Sequence, residues 1–433
     1  MLDIKFIREN KELIQQAAQK KHIEFEVDKL IKIDEKRRIL LGRVEEKRAE
    51  QKVANNIIVK ASSEDRDAIL EKMKVLKSEL EREESELKIV MKEWQMLMLL
   101  VPNVPDVSVP DGDNDVDNKE LKKWGEIPKF NFEPKSHVEI MTNLSMADFE
   151  RGVRVAGFRG YFLKGSGAML SFAVWRYALD FFVSRGFSLY IAPSMVRREP
   201  LLGTGWLPQS EDDLYKVQDE KYLAGTAEVA IMGLYQDEVI PKEELPKKIL
   251  AFSPCFRREI GSHSKDVKGL IRVHEFFKFE QVILCEASHD ESVKYHEELN
   301  RNSEEFIESL KIPYRTVVNC GGDLGLGQVK KYDIELWVPL ENTYREIGSA
   351  SYFHDFQTRR LNIRYKDSEE KLKYAHSLNN TAIATPRILV SLVENFQQAD
   401  GSIKIPEVLV PYMNGLASIV RPAPAVAGQA HYK

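Results

Sequence analysis

Several features that mark particular protein classes are scarce or missing in this 433-residue chain. It has three cysteines, Cys255, Cys285 and Cys320, with no Cys-x-x-Cys pair, which argues against a disulfide framework or a structural zinc site and favours a reducing compartment. The longest apolar run near the N-terminus, Met96–Val101, is far shorter than the roughly 20 residues of a membrane span. The opening residues 1–8 lack an apolar stretch followed by a small-residue cleavage site. We therefore expect a cytoplasmic protein without a membrane segment or secretory signal.

The overall charge is nearly balanced, with 63 basic and 68 acidic residues and a formal net charge of −5. Hydrophobic residues make up 43% and charged residues 30% of the chain, as in ordinary globular proteins. The length predicts two or three domains of roughly 150 residues each. Net charge alone does not indicate a nucleic-acid partner.

The first hundred residues differ from the rest, since they contain no proline and a single glycine, Gly42. Farther along this region, apolar residues recur at alternating steps of four and three, with Glu83 as the only gap. These positions are Ile69, Met73, Leu76, Leu80, Leu87, Val90, Trp94, Leu97 and Val101. A weaker seam precedes them at Leu30, Ile33, Leu40, Val44 and Ala54. Two heptad patterns joined by a polar turn, with Ser62 and Asp65 as a helix cap, predict an antiparallel two-helix hairpin.

The first of these two helices carries more basic than acidic residues. Its basic residues are Lys29, Lys32, Lys36, Arg37, Arg38, Arg43, Lys47, Arg48 and Lys52. One interpretation is a solvated face that is stabilised by ion pairs along the helix. The other is a binding surface for a polyanion.

A proline-containing segment with an acidic, Asn- and Gly-rich run follows the hairpin. Proline cannot continue a helix, and the other residues are typical of a linker. We expect residues 1–101 to form a helical hairpin domain, 102–118 a linker, 119–415 a domain of strands and helices, and 416–433 a disordered tail.

A predicted β-hairpin in the middle of the chain carries most of the chemical information. Aromatic and β-branched residues predict strands over 251–259 and 276–284, with the polar loop 261–269 between them. Alternation along the strands gathers charged and aromatic side chains on one surface, namely Arg257, Glu259, Phe276, Lys278 and Glu280. Taken singly, each could stabilise the sheet through cross-strand pairs worth roughly 0.2–1 kcal/mol.

Taken together, the spacing Phe-Arg-x-Glu, loop, Arg-x-x-x-Phe-x-x-x-Glu resembles the second signature motif of class II aminoacyl-tRNA synthetases. Further segments resemble the seryl-tRNA synthetase family of bacterial type, namely 223–228, 253–259, 269–274, 344–349, 355–360, 376–382 and 406–413. The N-terminal hairpin and the Pro-Asn-x-Pro segment after it resemble the same family, so the similarity extends over residues 1–413. It implies an α+β fold, in which an antiparallel coiled-coil hairpin precedes a catalytic domain with a mainly antiparallel sheet flanked by helices.

The first and third signature motifs of the class also have counterparts. Residues 185–193 resemble the first motif, which implies a homodimer. The third counterpart, residues 379–393, predicts a helix with Thr385 as N-cap, Pro386 in its first turn, and Arg387 where its charge opposes the helix dipole. The buried face of this helix is expected to be Ile388, Leu389, Leu392 and Val393. Many class II enzymes have glycines where this chain has Ala382, Ala384 and Pro386, which we interpret as a variant.

The resemblance implies that the protein activates L-serine with ATP and Mg²⁺ and transfers it to tRNA(Ser), with tRNA(Sec) as a further expected substrate. The residues implied for ATP are Arg257, Glu259, Arg272, Val273, Phe276, Glu346, Ser349 and Arg387. Those implied for serine are Thr226, Glu228, Arg257, Glu280, Asn379 and Thr381. Catalytic roles are implied for Arg257, Glu346 and Arg387, and Mg²⁺ contacts for Glu346 and Ser349. The implied tRNA contacts are Lys36, Arg37, Arg38, Arg43 and Lys47.

Individual roles also follow from the resemblance. Arg257 is expected to bind the α-phosphate and the serine carboxylate, because its planar fork suits both. Phe276 would stack on adenine, with Arg272 on the other side and Glu259 at the amino group. Val273 would contact the nucleotide through its backbone, and Arg387 would bind the terminal phosphate.

Two other function classes stay open on the sequence, an enzyme that loads an amino acid onto a carrier protein and an inactive scaffold. Two further motifs are not expected to be sites. The glycines of 321–327 lack the spacing of a phosphate loop, and Cys255, His263 and His274 match no zinc-ligand spacing.

Overall fold

The computed structural model describes residues 1–58, 62–260 and 268–421, which divide into two compact units, one ending at Val104 and the other beginning at Pro105. The helices of the first unit are α1 (Ile4–Glu9), α2 (Lys11–Lys20), α3 (Val27–Ile58) and α4 (Ser63–Leu100). Those of the second are α5 (His137–Asn143), α6 (Phe149–Ala156), α7 (Ser166–Val183), α8 (Arg198–Thr204), α9 (Ala227–Leu234), α10 (His289–Ser309), α11 (Phe356–Leu361) and α12 (Arg387–Asn395).

All strands of the described residues belong to the second unit. They are β1 (Lys119–Trp124), β2 (Ala147–Asp148), β3 (Phe162–Leu163), β4 (Ser188–Ile191), β5 (Met195–Val196), β6 (Tyr215–Lys216), β7 (Tyr222–Leu223), β8 (Val239–Ile240), β9 (Lys247–Phe256), β10 (Glu275–Cys285), β11 (Tyr314–Val318), β12 (Lys330–Val338), β13 (Thr343–Tyr352), β14 (Arg364–Lys366), β15 (Leu372–Tyr374), β16 (His376–Thr385), β17 (Ile403–Lys404) and β18 (Ser418–Ile419).

The long helices α3 and α4 pack against each other as the predicted antiparallel hairpin. Ion pairs fix their direction, because Lys36 pairs with Glu86 at 2.8 Å and Lys47 farther along α3 pairs with the earlier residue Glu79 at 2.5 Å. Seam residues are buried on both helices, among them Leu30, Leu40, Val44, Leu80 and Val90. Glu83, the gap in the heptad pattern, is itself buried and lies 3.5 Å from Lys47. Of the cap predicted at Ser62 and Asp65, the side chain of Asp65 lies outside the described residues.

The segment predicted as a linker packs on the second unit over much of its length. The Asp106 backbone N–H donates to the carbonyl of Val329 at 2.9 Å, and the Tyr352 hydroxyl donates to the Asp106 carboxylate at 2.8 Å. Val109 is buried. Hydrogen bonding and burial therefore hold residues 105–110 against the sheet, whereas composition alone indicated an unpacked chain.

The glycine-rich loop after β11 packs against this same segment. The Gly321 N–H donates to the carbonyl of Pro110 at 2.9 Å, and a Cβ at Gly322 would lie 2.2 Å from the carbonyl oxygen of Asp113. The glycines thus permit close backbone packing, which agrees with the expectation that this loop is not a phosphate site.

The main sheet has eight strands in the described part of the chain, in the order β1-β11-β12-β13-β16-β10-β9-β4. Its pairs are antiparallel except for β4 with β9, which is parallel. Helices α7, α10 and α12 contribute to the apolar core that packs on this sheet. The α+β architecture with a mainly antiparallel sheet is as predicted.

The strands that carry the second motif pair as predicted, but the first of them ends earlier. Strand β9 pairs antiparallel with β10, with Cys255 opposite Phe276. It ends at Phe256, and Glu259 has a positive φ of 54°, so strand alternation does not place Arg257 and Glu259 on one face. Residues 261–267 of the predicted loop lie outside the described residues.

The helix of the third motif begins one residue later than predicted. Pro386 occupies the N-cap position of α12, and the Thr385 hydroxyl accepts a hydrogen bond from Trp175 Nε1 at 2.7 Å instead of capping the helix. The prediction of Thr385 as N-cap is therefore wrong. The predicted apolar face is confirmed, since Ile388, Leu389, Leu392 and Val393 are buried.

The predicted disordered tail is wrong at its start. Strand β18 lies within it and pairs antiparallel with β17, and Ile419 is buried. Residues 422–433 lie outside the described residues. Within the described ranges, no helix combines the length and the apolar character needed to cross a bilayer.

Candidate active site

Arginines converge at the end of the second-motif hairpin. Arg272 Nη1 donates to Glu259 Oε2 at 2.9 Å. Arg387, in the first turn of α12, donates from Nε to the carbonyl of Ile271 at 2.9 Å and from Nη1 to the carbonyl of Glu346 at 2.8 Å. Backbone carbonyls thus hold the Arg387 guanidinium at the helix start without neutralising its charge.

Arg257 lies beside this cluster and above an aromatic ring. Its guanidinium carbon is 5.5 Å from the centre of the Phe276 ring and 5.7 Å from that of Trp206. A Cβ at Gly225 would lie 3.3 Å from the Arg257 side chain, so this glycine leaves room for it. Within the described residues, the buried Arg257 Nε has no hydrogen-bond partner. An unsatisfied buried donor of this kind suits an anionic ligand.

The electrostatics of the cluster favour anions. Burial opposes ionisation of Glu259, but the hydrogen bond and charge of Arg272, with Arg257 and Arg387 nearby, hold its pKa below the usual range. Burial and the neighbouring arginines lower the pKa of Arg387, although Glu346 acts in the opposite direction. Three guanidinium groups therefore share a region with two carboxylates, and positive charge is in excess.

A bulge brings two predicted Mg²⁺ contacts to one face of the sheet. Ser349 lies opposite Asp333 and Glu346 lies opposite Glu335, with the register shifting between the two pairs. Without the bulge, residues three apart on β13 would point to opposite faces. Asp333 is buried, and its Oδ1 has no hydrogen-bond partner within the described residues.

These oxygen donors could contribute to a Mg²⁺ site, because Mg²⁺ is a hard cation that binds oxygen ligands, carboxylates among them. Among the described residues, no group of three or more His, Cys, Asp or Glu side chains is arranged to hold a metal ion. The protein alone thus offers a partial coordination shell. His263, one of the three residues whose spacing matches no zinc-ligand pattern, lies outside the described residues.

A buried polar pocket lies on the same sheet beside Arg257. Lys278 on β10 forms an ion pair with Glu280, and its Nζ donates to Thr226 Oγ1 at 2.9 Å and lies 3.5 Å from Thr381 Oγ1. Thr226 is the N-cap of α9. The pocket thus combines charged and hydroxyl groups drawn from β10, β16 and α9.

Glu228 lies in a deeper layer of this pocket. Its Oε1 accepts a hydrogen bond from Gln357 Nε2 at 2.6 Å, and Gln357 Oε1 accepts from Ser377 Oγ at 2.7 Å. Burial, reinforced by the charge of Glu280, raises the pKa of Glu228 to about 7. Contacts with Gln357, Lys278 and Asn379 act in the opposite direction but are weaker than burial.

The residues assigned from the sequence to ATP and serine thus fall into two adjacent groups. Sequence reasoning placed Lys278 on the surface of the second motif without giving it a role, and it did not single out Gln357 or Asp333. The spacing of Lys278 and Glu280, two apart on a strand, signals a shared face. We find no comparable sequence signal for Gln357, which reaches Glu228 from a distant helix.

The basic residues assigned to tRNA have different environments in the hairpin. Lys36 and Lys47 are ion-paired with glutamates of α4. Arg37 pairs with the buried Asp34 at 2.8 Å and lies 4.7 Å from the centre of the Trp94 ring. In the described part of the chain, the exposed Arg38 and Arg43 belong to no ion pair. Of the five residues assigned to tRNA, these two are therefore the ones without an ion pair among the described residues.

The first-motif counterpart lines an apolar surface of the second unit. Phe187 is buried, but Ile191 is 82% exposed and Phe172 on α7 is 61% exposed. A groove of about 890 Å³ is lined by Phe172, Trp175, Phe252 and Phe277 together with other mostly apolar groups. Such an apolar surface is typical of a protein interface.

The chain matches models of two protein families. Residues 1–105 match the seryl-tRNA synthetase N-terminal domain, and residues 211–396 match the tRNA synthetase class II core domain (G, H, P, S and T). The serine–tRNA ligase of Deinococcus radiodurans is 46% identical over 423 residues, which is 98% of this chain and 100% of that protein.

Two solved structures are also similar. Seryl-tRNA synthetase from Pyrococcus horikoshii, solved with ATP, has a TM-score of 0.90 and 38% identity over 98% of this chain and 100% of that one. The cytoplasmic serine–tRNA ligase of Naegleria fowleri, solved with AMP, has a TM-score of 0.85 and 33% identity over 97% of this chain and 98% of that one.

Proposed function

The chain belongs to the seryl-tRNA synthetase family, and on that premise we infer that it activates L-serine with ATP and transfers the serine to the 3′ end of tRNA(Ser). The observation that carries this inference is the position of Arg257 between two sites. Its guanidinium lies over Phe276, and its side chain packs on Gly225, the residue before Thr226. An arginine at this position can contact a nucleotide phosphate and an amino-acid carboxylate at once.

ATP binds in the arginine-rich cluster. Phe276 stacks on adenine, and Arg272 supports the nucleotide from the other side. Glu259 accepts from the adenine amino group, and the backbone of Val273 contacts the nucleotide. Arg387 binds the terminal phosphate, for which the excess positive charge of the cluster and the position of Arg387 in the first turn of α12 provide support.

Glu346 and Ser349 would hold Mg²⁺ that is bound to the ATP phosphates. Support comes from the bulge that places both oxygens on one face and from the unsatisfied Oδ1 of the neighbouring Asp333. When bound, the ion offsets negative phosphate charge. The chain itself orients the phosphates through Arg257 and Arg387.

Serine binds in the buried polar pocket. Its ammonium group pairs with Glu280, supported by the nearby carboxyl of Glu228. Thr226, which the sequence assigned to the same group, has its hydroxyl oxygen engaged by Lys278 and by the Glu228 N–H, so it borders the substrate as a hydrogen-bond donor. Thr381 and Asn379 hydrogen-bond the hydroxyl. The serine carboxylate is oriented by Arg257 toward the nucleotide.

The first chemical step joins serine to AMP. A carboxylate oxygen of serine attacks the α-phosphorus, the bond from that phosphorus to the bridging oxygen breaks, and pyrophosphate leaves with the electron pair. Both partners are anions, so Arg257 lowers the barrier by holding them together and neutralising charge. In the second step, a hydroxyl at the 3′ end of the tRNA attacks the serine carbonyl, and AMP leaves.

The α3–α4 hairpin binds the tRNA backbone, chiefly through Arg38 and Arg43, with Lys36, Arg37 and Lys47 adding positive potential. Because contacts to the tRNA backbone depend on shape more than on base sequence, we also propose tRNA(Sec) as a substrate. We place the reaction in the cytoplasm, in keeping with the reduced cysteines.

The active protein is a homodimer that buries the apolar surface around Phe172 and Ile191. Exposed apolar side chains on α7 and β4, next to a large apolar groove, support a second copy of the chain as the covering partner.

Serine-dependent exchange of pyrophosphate into ATP, measured together with charging of tRNA(Ser), tests the proposed function. We expect both activities. Exchange without charging would instead favour an enzyme that loads a carrier protein, and the absence of both would favour a non-catalytic scaffold. Alanine and threonine in place of serine provide matched substrate controls.

A further inference from the structure

A buried lysine without an assigned role connects the groups that surround the serine pocket. Lys278 is only 5% exposed and lies on β10, two residues before Glu280. Its ammonium forms an ion pair with Glu280 and reaches the hydroxyl oxygens of both Thr226 and Thr381. One positive charge thus contacts three residues from three separate elements.

The lysine determines the direction of the Thr226 hydroxyl. An ammonium group can only donate hydrogen bonds, so Thr226 Oγ1 must accept from Lys278 Nζ at 2.9 Å. The same oxygen accepts from the Glu228 backbone N–H at 3.3 Å. Both lone pairs of the hydroxyl are then engaged, and its own proton is left to be donated to another group.

Thr381 is held in a similar way from a second direction. Lys278 Nζ lies 3.5 Å from Thr381 Oγ1, so this hydroxyl also faces the lysine with its oxygen. A Cβ at Gly348 would lie only 2.8 Å from Thr381 Cβ, which shows how closely β13 limits the side chain. The close packing against β13 and the contact with Lys278 together leave the Thr381 hydroxyl to donate its proton away from the lysine.

Glu280 supplies a hydrogen-bond acceptor to the pocket, in contrast to the two hydroxyl donors. When ionised, its carboxylate accepts hydrogen bonds and donates none, and among the described residues its Oε2 contacts the Lys278 ammonium and has no further partner. The pocket therefore combines hydroxyl donors with a carboxylate acceptor that has spare capacity. A group that both accepts and donates, such as a hydroxyl, complements this arrangement, whereas a methyl group satisfies neither side.

We propose that Lys278 is a specificity-determining positioning residue, which orients Thr226, Thr381 and Glu280 so that the pocket prefers the hydroxyl of serine to the methyl group of alanine. This inference rests on the proposed function. Its alternative is a purely structural role, in which Lys278 only neutralises the buried charge of Glu280.

Two variants separate these roles. Lys278→Met keeps the length and removes the charge, whereas Lys278→Arg keeps the charge but cannot place a single ammonium among three oxygens. If Lys278 only neutralised Glu280, the arginine variant would behave like the wild type. Lys122→Met is a matched control, since Lys122 lies on edge strand β1 of the same sheet and pairs with Glu304 at 2.8 Å.

Steady-state pyrophosphate exchange with serine and with alanine provides the measurement. For both Lys278 variants we expect the serine-over-alanine ratio of kcat/KM to fall at least about tenfold, and for Lys278→Met a rise of about 100-fold in the serine KM with the ATP KM nearly unchanged. A wild-type ratio in Lys278→Arg would overturn the proposal. So would a parallel loss for serine and ATP in Lys278→Met.

If Lys278→Met does not fold, Lys278→Arg tests the proposal by itself, because this variant retains the charge beside Glu280. Wild-type enzyme is assayed in parallel. Absence of serine-dependent exchange in the wild type would contradict the proposed function, whereas normal wild-type exchange with unaffected Lys278 variants would contradict only the role of the lysine.

Discussion

Thr381 on β16 lies directly opposite Glu280 on β10, because a bulge interrupts the pairing of these strands next to Phe279. Regular pairing after Phe279 and Ile383 would have placed Ala382 opposite Glu280. Side chains directly opposite on neighbouring strands have Cβ atoms about 4.5–5.5 Å apart. The bulge therefore brings a hydroxyl, in place of a methyl group, to the carboxylate that we assign to serine.

Replacing Thr381 with alanine should reduce the preference for serine over alanine by about tenfold or more, because Thr381 no longer hydrogen-bonds the substrate hydroxyl. The measurement is the ratio of kcat/KM for the two amino acids in pyrophosphate exchange. Gly348→Ala should cause a similar loss by displacing Thr381. Thr343→Ala, at an exposed position on β13, serves as the control. An unchanged ratio in Thr381→Ala would show that another residue recognises the serine hydroxyl.

Replacing Arg257 with alanine should lower pyrophosphate exchange by about 100-fold or more, since two anions then approach without the charge that offsets them. Thermal unfolding should stay close to the wild type, because the Arg257 side chain is only half-buried.

The neighbouring residue provides a matched control for this prediction. Arg258 donates from Nη1 to the carbonyl of Asp212 at 3.0 Å, outside the arginine cluster, so Arg258→Ala should retain most of the exchange. Wild-type exchange in Arg257→Ala would remove this arginine from the mechanism.

The stability of the protein without serine should fall as pH rises from about 5 to about 8. Burial raises the pKa of Glu228 to about 7 from 4.5, so the folded state holds a proton that the unfolded state releases. The contribution to the free energy of unfolding is on the order of 3 kcal/mol between these pKa values. It is present below the unfolded pKa and is lost as pH rises through the folded pKa.

Glu228→Gln should flatten this part of the pH dependence, because glutamine does not titrate. Urea unfolding at intervals between about pH 5 and about pH 8 measures the effect, because this is roughly the range over which the carboxyl changes charge. Glu243→Gln, at an exposed carboxylate, should leave the profile unchanged. A wild-type profile in Glu228→Gln would assign the titration to other groups.

Deleting residues 28–100 should spare serine-dependent exchange and eliminate tRNA charging, because the hairpin is assigned to tRNA and the serine pocket to the second unit. Exchange and charging are measured on the same preparation. Retained charging would contradict a role of the hairpin in tRNA binding.

A smaller change tests individual hairpin arginines. The double substitution Arg38→Ala and Arg43→Ala should raise the KM for tRNA and weaken its salt dependence, because fewer counterions are released on binding. Lys74→Ala with Lys77→Ala, at exposed lysines of α4, removes the same charge as a control. Equal effects of the two pairs would indicate a nonspecific charge effect.

Introducing a charge on the apolar surface of α7 and β4 should dissociate the proposed homodimer. Ile191→Asp places a carboxylate at a side chain that is 82% exposed in the monomer and would be buried in the dimer. Sedimentation velocity or light scattering measures the mass. Leu372→Asp, on β15 of a separate sheet, should leave the mass unchanged. A monomeric wild type would contradict the dimer.

Local patterns in the sequence were sufficient for the elements that depend on periodicity. The heptad seams predicted α3 and α4, and the apolar positions of α12 predicted its buried face. Spacing within the second motif predicted an antiparallel pair, β9 with β10. Predictions at element ends were weaker, as with Thr385, because Trp175 from a distant helix binds its hydroxyl.

The sequence by itself thus determined the fold class, the family and the types of residue available for chemistry, because periodicity and motif spacing act over short stretches of chain. Only the tertiary structure decided that Thr381 faces Glu280 and that Glu346 shares a face with Ser349, since bulges depend on pairing between distant strands. It also decided that Lys278 joins three elements around one charge, because a buried ammonium must find its partners wherever the folded chain brings oxygens within reach.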